Sequence, residues 1–422
     1  MLDRMDSSEP ADLSIYDRLR RSDDEAIAAL TDGTHARELA AWLGEPEYTA
    51  LVPLARAAAG TVGDDAPIVL IVPGIMGTQL GRDNVAPWPA NVLWLDPVDI
   101  IAGRLAELRL PEARPLRTLG AIPYSYLGLL LRLRAAGFAT RNFEYDWRQS
   151  VLDSGRALAD CIAALPPRPV SIVAHSMGGL VTRAALAQPH CAARVQRVLT
   201  LGTPHLGALA PAQALRGVYP TVRRLAALDL HHSAEQLATE VFGGFASLHE
   251  MLPATLQDAA RWPRDGIAPR AELLRAAVAN LAQLAPVDAR YTCIAGFGQR
   301  TATGVGGDAR EFVYEITNLG DGTVPLASAA PGGAAARFVR CEHSELPRDP
   351  EVAAELTALL GGAGSTLPAH LPDLAADTVH VGDVALRTTY TAKVEWRALP
   401  PEERRRYLNQ LNLPPPQYAA RA

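Results

Sequence analysis

The chain of 422 residues is 48% hydrophobic and 20% charged, with a formal net charge of −6 and one lysine, Lys393. This balance excludes a disordered chain, and the mildly acidic surface argues against nucleic acid as a partner. No apolar run approaches the roughly 20 residues of a membrane span, and the N-terminus lacks the basic start and apolar run of a secretory signal. The expectation is a cytoplasmic, soluble protein. Four cysteines are present, Cys161, Cys191, Cys293 and Cys341, and none forms a CxxC pair. That predicts neither a metal nor a redox centre. Cys161, Cys293 and Cys341 have apolar neighbours and are expected to be buried small hydrophobes.

Residues 1–60 read as an N-terminal helical extension, charged and alanine-rich, with breaks near Gly33 and Gly44–Pro46. The regular pattern begins at Pro67. The run IVLIV over Ile68–Val72, closed by Pro73-Gly74, predicts a strand buried on both faces. Residues 124–136 predict a helix stopped by Gly137. A strand over 138–145, a helix over 154–165, a strand over 170–174, a helix over 178–188 and a strand over 195–201 follow. Such alternation predicts an α/β fold, a mostly parallel sheet with helices on both faces. It stops after Gly207. Residues 208–290 carry helical patterns without a clear strand and read as a helical lid or cap insertion. The sheet is expected to resume over 291–296, 311–317 and 337–341, ahead of a helix over 351–360. The tail over 363–422 is Pro-rich, charged and aromatic in pieces, and the sequence assigns it no role.

One segment concentrates the chemistry. In VSIVAHSMGGL, from Val170, an apolar strand runs into His175-Ser176-Met177-Gly178 and then a helix. That is the strand–turn–helix context of a nucleophile elbow, where a serine on a tight turn needs small flanking residues. Gly178 meets that need, and Ala174 stands where a glycine is usual. The helix N-terminus behind the serine favours a developing oxyanion. A serine hydroxyl needs a base, and this fold orders nucleophile, acid and histidine along the chain. Asp321, in the glycine-rich NLGDGTVP, and His343, in CEHSE after a strand, fill that order. The competitors are weaker. His175 should point away from the nucleophile, and His205 precedes any suitable acid but can line the pocket. Asp146 should pair with Arg148, and Glu342 is too close in sequence to orient the His343 ring. The turn PGIMGT after the first strand offers a second oxyanion donor, so the N–H groups of Ile75 and Met177 are the candidate oxyanion hole.

Taken together, PGIMGTQL from Pro73, YDWR from Tyr145, AHSMGGL from Ala174, LGTPHLG from Leu201, DGTVP from Asp321 and CEHSEL from Cys341 resemble the lecithin:cholesterol acyltransferase family. That family includes phospholipid:diacylglycerol acyltransferases and lysosomal phospholipase A2, and the resemblance spans residues 67–360. It implies an α/β-hydrolase fold, a triad of Ser176, Asp321 and His343, a covalent acyl-enzyme, and no metal or organic cofactor. It also implies a small lipid-contacting subdomain over residues 80–115, with Trp88 and Trp94 as candidate substrate contacts, and a lid from residue 208 onward. The expected substrate is a lipid acyl ester, hydrolysed or transferred to an alcohol, with peripheral contact to a lipid surface. A non-lipid ester or thioester is the alternative, and a silent fold relative a third reading. The disulfides and signal peptide of secreted family members are not evident.

Overall fold

The computed structural model describes residues 23–60, 63, 65–83, 90–374 and 377–419. Its strands in chain order are β1 (Ile68–Val72), β2 (Thr78–Asp83), β3 (Ala90–Trp94), β4 (Arg117–Ala121), β5 (Ala139–Asn142), β6 (Val170–His175), β7 (Val195–Leu201), β8 (Tyr291–Gly296), β9 (Thr301–Gly307), β10 (Phe312–Thr317), β11 (Ala335–Val339) and β12 (Val379–Gly382). Six of them form the central sheet in the order β11-β8-β7-β6-β1-β5, every pair parallel. β1 is buried at all five positions because both faces of the sheet are covered. Ile68, Leu70 and Val72 face a core shared with Leu158 and Ile162, on the helix Val151–Ala164. Val69 and Ile71 face the opposite core, with Leu130 of the helix Pro123–Ala135 and Leu356 of the helix Pro350–Leu360. Continuous apolar strands, rather than alternating ones, are what such a two-sided sheet requires.

The N-terminal helices belong to this second core. Asp23–Asp32, Ala36–Leu43 and Glu45–Ala58 bury Leu30, Leu39, Leu43 and Leu51 against the same face of the sheet. Each such leucine contributes about 1.5–3 kcal/mol by burial. The breaks fall at Gly33 and Gly44, both with positive φ, where glycine avoids a steric cost.

Two smaller sheets depart from the sequence expectation. The strand expected over 311–317 exists as β10, but it lies outside the central sheet, antiparallel to β9 and β12. β9, TATGVGG, has three glycines that hide its strand character, and pairing with β10 supplies what its own side chains do not. The third sheet, β3-β2-β4, is short and carries register shifts on both sides of β2. It occupies the region expected to be a lipid-contacting subdomain.

Residues 208–290 hold helices and turns with no strand among them, including Ala210–Leu215, Pro220–Leu228 and Ala271–Leu281. Every residue of Pro220–Leu228 is buried, because the C-terminal tail lies over it. Arg224 donates to the carbonyls of Gln410, Leu411 (2.9 Å) and Leu413 (3.0 Å) and to the Tyr390 hydroxyl (2.6 Å). Its guanidinium also stacks 4.4 Å from the Tyr390 ring centre. Lys393 caps the end of the same helix, donating to the carbonyls of Ala226 (2.8 Å) and Asp229. A fully buried pair, Arg216 and Asp383 (2.8 Å), ties the insertion to the helix after β12. The four cysteines are free, with Cys161 half-buried and the others buried.

Candidate active site

Chain direction places the site. β6 ends at His175, and the helix Gly178–Leu186 starts three residues later, so the backbone must reverse within Ser176 and Met177. Ser176 takes φ 53°, a left-handed conformation rare for a residue with a side chain. Its N–H donates to the Leu201 carbonyl of β7 at 2.8 Å, which holds the turn against the sheet edge. A Cβ on Gly178 would lie 2.3 Å from the Val72 carbonyl oxygen, so no larger residue fits there.

Asp321 and His343 come from loops that follow β10 and β11. The Asp321 carboxylate turns on its own backbone, accepting at Oδ1 from the N–H groups of Thr323 (3.0 Å) and Val324 (2.7 Å). Its Oδ2 remains for His343 Nδ1 at 2.7 Å. The His343 N–H donates to the Asp321 carbonyl at 2.8 Å, so the two loops are locked by backbone as well as side chain. His343 Nε2 lies 2.9 Å from Ser176 Oγ. The carboxylate fixes the proton on Nδ1, which leaves Nε2 bare toward the serine. Burial alone would depress the His343 pKa, but the Asp321 charge and hydrogen bond outweigh it and hold the imidazole above its usual range. Gly202, at φ 55°, makes room for the pair, since a Cβ there would lie 2.7 Å from Asp321 Oδ2.

The turn after β1 closes on the serine from the other side. A Cβ on Gly74 would lie 2.8 Å from that of Ser176. Four aromatic side chains grip this turn by its backbone. Tyr145 donates to the Pro73 carbonyl (2.6 Å), Tyr126 accepts from the Gly74 N–H (2.9 Å), Trp94 donates to the Met76 carbonyl (2.9 Å) and Trp147 to that of Thr78 (2.9 Å). The YDWR segment therefore acts through Tyr145 and Trp147. Asp146 instead makes a bidentate pair with the fully buried Arg148, at 2.8 and 2.7 Å. Ile75 follows Gly74, and Met177 heads the helix behind the serine, where first-turn N–H groups lack helical acceptors.

A cavity of about 210 Å³ is lined by Ser176, His343 and mostly apolar side chains, among them Ile75, Met76, Trp94, Val222, Leu248 and Met251. Its far wall was not foreseen. Trp42 and Leu43 of the N-terminal helices and Arg405, Leu408, Leu411 and Asn412 of the tail also line it. Neither segment carries a motif, and only their apolar positions hinted at burial.

Three expected substrate contacts fare differently. Trp94 lines the cavity but is 1% exposed, packed edge-on against Trp147, so it is not an exposed interfacial aromatic. Trp88 lies outside the described residues. His205 does not line the cavity. Its ring lies over the paired β7 and β8, with Nε2 3.4 Å from Thr200 Oγ1 and 3.7 Å from Cys293 Sγ. Burial, with Arg183 nearby, pushes its pKa down to about 3. No group of three or more His, Cys, Asp or Glu suited to a metal occurs among the described residues. No described helix is long and apolar enough to cross a membrane.

Comparison with known proteins gives one family match and several similar structures. A family model described as a PGAP1-like alpha/beta domain matches residues 149–247, the stretch holding β6, the serine turn, β7 and part of the insertion. No curated protein matches in sequence. Among solved structures, the chain is similar to the mature lipase BlEst2 of Bacillus licheniformis, with 13% identity and a TM-score of 0.37 over 72% of this chain and 94% of that one. It is similar to the Tle4–Tli4 complex, with 16% identity and a TM-score of 0.45 over 71% and 98%. It is also similar to carboxylesterase CesB of Bacillus subtilis, with 12% identity and a TM-score of 0.33 over 72% and 86%. The family model and these three structures do not confirm the acyltransferase family that the motifs resemble. The parallel sheet, with its serine turn after β6, has the α/β-hydrolase fold.

Proposed function

We propose that the protein is a serine-dependent hydrolase of lipid acyl esters that also passes the acyl group to alcohols, with Ser176, His343 and Asp321 as its catalytic triad. The observation that carries this reading is the chain Asp321–His343–Ser176, at 2.7 and 2.9 Å, set in the wall of an apolar cavity. Ser176 Oγ attacks the ester carbonyl as His343 Nε2 takes its proton. Asp321 holds the ring and stabilises the imidazolium. The N–H groups of Ile75 and Met177 receive the carbonyl oxygen as it becomes an oxyanion, and each such donor is worth about 3 kcal/mol. His343 then protonates the departing alcohol, leaving an acyl ester on Ser176. Water or a second alcohol, deprotonated by His343, attacks that ester and releases the acyl group.

Lipid substrates are favoured by the apolar lining. Transfer is favoured by the motif resemblance and by the cover over the cavity, because held-back water gives an apolar alcohol time to compete. The test is product partition. The protein is given a labelled phospholipid with and without a long-chain alcohol, beside a Ser176→Ala control. A new acyl ester that disappears in the control supports transfer. Free fatty acid alone would make the enzyme a lipase. Turnover only of short soluble esters would point to a non-lipid esterase. A wild-type serine that no fluorophosphonate labels would sink the reading.

A further inference from the structure

One hydrogen-bonded chain beside the triad has no part in the chemistry above. The Gly74 N–H donates to the Tyr126 hydroxyl at 2.9 Å, and that hydroxyl lies 2.8 Å from His175 Nδ1. His175 Nε2 lies 3.0 Å from the His343 carbonyl. Both side chains are buried, Tyr126 at 2% and His175 at 7% exposure.

The donors and acceptors admit one assignment. A carbonyl only accepts, so His175 carries its proton on Nε2. Nδ1 is then a bare acceptor, and the Tyr126 hydroxyl donates to it while accepting from Gly74. Every polar atom in the chain is satisfied, with no proton to spare. Burial, with His343 beside it, holds the His175 pKa well below the usual imidazole range, so the ring stays neutral. Burial likewise holds the Tyr126 phenol well above its usual value.

The two ends of the chain matter. Gly74 precedes Ile75, whose N–H is the candidate oxyanion donor, and His343 carries the base. These segments are far apart in sequence, and each meets Ser176 from a different side. His175 is also joined to Ser176 by a peptide bond, and its ring centre lies 4.9 Å from that of His343. We propose that Tyr126 and His175 are positioning residues, whose hydrogen-bonded chain sets the oxyanion turn and the base loop in one frame around Ser176. The inference rests on the serine-hydrolase reading. It gives His175 a role other than nucleophile activation, although it adjoins the nucleophile. A misplacement of 1 Å at such a centre costs about a hundredfold in rate, so a strut that spans both loops bears directly on turnover.

The test uses the full chain with Tyr126→Phe, His175→Leu and His175→Gln, a short chromogenic ester, and a trifluoromethyl ketone that mimics the oxyanion. Tyr126→Phe and His175→Leu are expected to lower kcat by roughly 10–100-fold with KM nearly unchanged. Affinity for the ketone should fall in parallel. The glutamine side chain keeps an N–H where His175 Nε2 donates, so His175→Gln should recover much of what His175→Leu loses. The double variant Tyr126→Phe/His175→Leu should lose less than the product of the single losses, because one chain is cut twice. Wild-type kcat and ketone affinity in Tyr126→Phe, a variant conservative enough to fold, would overturn the proposal. So would losses confined to KM or to thermal stability. Fluorophosphonate labelling separates the two failures. An unlabelled wild type sinks the hydrolase reading itself, whereas variants labelled as fast as wild type sink only this inference.

Discussion

Replacing Gly74 by alanine tests whether the turn after β1 closes on the nucleophile. The added Cβ would stand 2.8 Å from Ser176 Cβ, 3.3 Å from His175 Nδ1 and 3.4 Å from the His175 carbonyl oxygen. Carbon atoms rest at about 3.5–4.0 Å, so Ser176 or the turn must yield by roughly 0.7 Å. Neither is free to do so cheaply. Ser176 is held by its bond to Leu201, and the turn by Tyr145, Tyr126, Trp94 and Trp147. Overpacking of this kind costs about 1–3 kcal/mol of stability. The larger effect falls on the rate. A displaced reacting centre or a lost oxyanion donor each costs on the order of a hundredfold. The expected result is a fall in kcat/KM of roughly 10²-fold, or about 2.7 kcal/mol of transition-state stabilisation. It is read with a short chromogenic ester well below the variant's Tm. Gly128→Ala is the control. That glycine sits inside the helix Pro123–Ala135, and its Cβ would meet only Leu51 Cδ2, at 3.6 Å. It should leave activity unchanged and raise stability by up to about 1 kcal/mol. Activity of Gly74→Ala within about threefold of wild type, or an equal loss in Gly128→Ala, would refute the geometric reasoning.

The pH dependence follows from His343. Its charged form is favoured by Asp321, and only the neutral ring can act as base, so kcat/KM should rise with pH through a midpoint above the usual imidazole value of 6.5. Asp321→Asn removes the main opposition to burial and leaves only the weaker pull of Glu342, so that midpoint should move acidward while kcat falls by roughly 10³–10⁴-fold; an unmoved midpoint would show that another group sets the limb. Arg224→Ala removes the bonds to the tail carbonyls of Gln410, Leu411 and Leu413, of which only the Leu411 contact is buried, at a cost of about 1–3 kcal/mol. Proteolytic nicking within residues 390–413 should rise and acyl-chain preference should broaden, whereas an intact tail with unchanged preference would argue against its role as a wall. Glu250, at 2% exposure, accepts from the Val151 N–H (2.7 Å) and from Asn280 (2.6 Å). Burial still pushes its pKa up from 4.5 to about 7. The folded state thus holds that proton more tightly than the unfolded chain, and stability contributed by Glu250 is lost as pH rises from the ordinary carboxylate range through 7. Glu250→Gln should therefore gain up to about 3 kcal/mol relative to wild type at pH 8 and little at pH 4, as read by denaturant titration at both values.

The sequence by itself determined those features that depend on neighbours along the chain. IVLIV and VSIVAH are buried strands because a wholly or largely apolar run suits a sheet covered on both sides. The turn at Ser176 is legible because a strand, a small-residue corner and a helix must follow one another within a few residues. The order of Ser176, Asp321 and His343 made the last two candidates, and a glycine-rich loop and a strand end marked where each side chain is presented. What depends on contacts distant in sequence was not legible. β9 reads as a glycine-rich loop until β10 pairs with it. Trp94 has the composition of an interfacial aromatic, and only its packing against Trp147 shows it to be a buried prop of the turn. His205 sits in a motif beside the site, yet the backbone turns its ring back onto β7 and β8. The tail carries no motif, and its place in the cavity wall comes from Arg224 and Arg216 reaching across from the insertion and from Lys393 of the tail reaching back to it. Local pattern fixes which backbone conformations are cheap, residue by residue. Which side chains meet is decided when distant segments compete for the same buried surface and hydrogen-bond partners, and a single sequence holds no record of that competition.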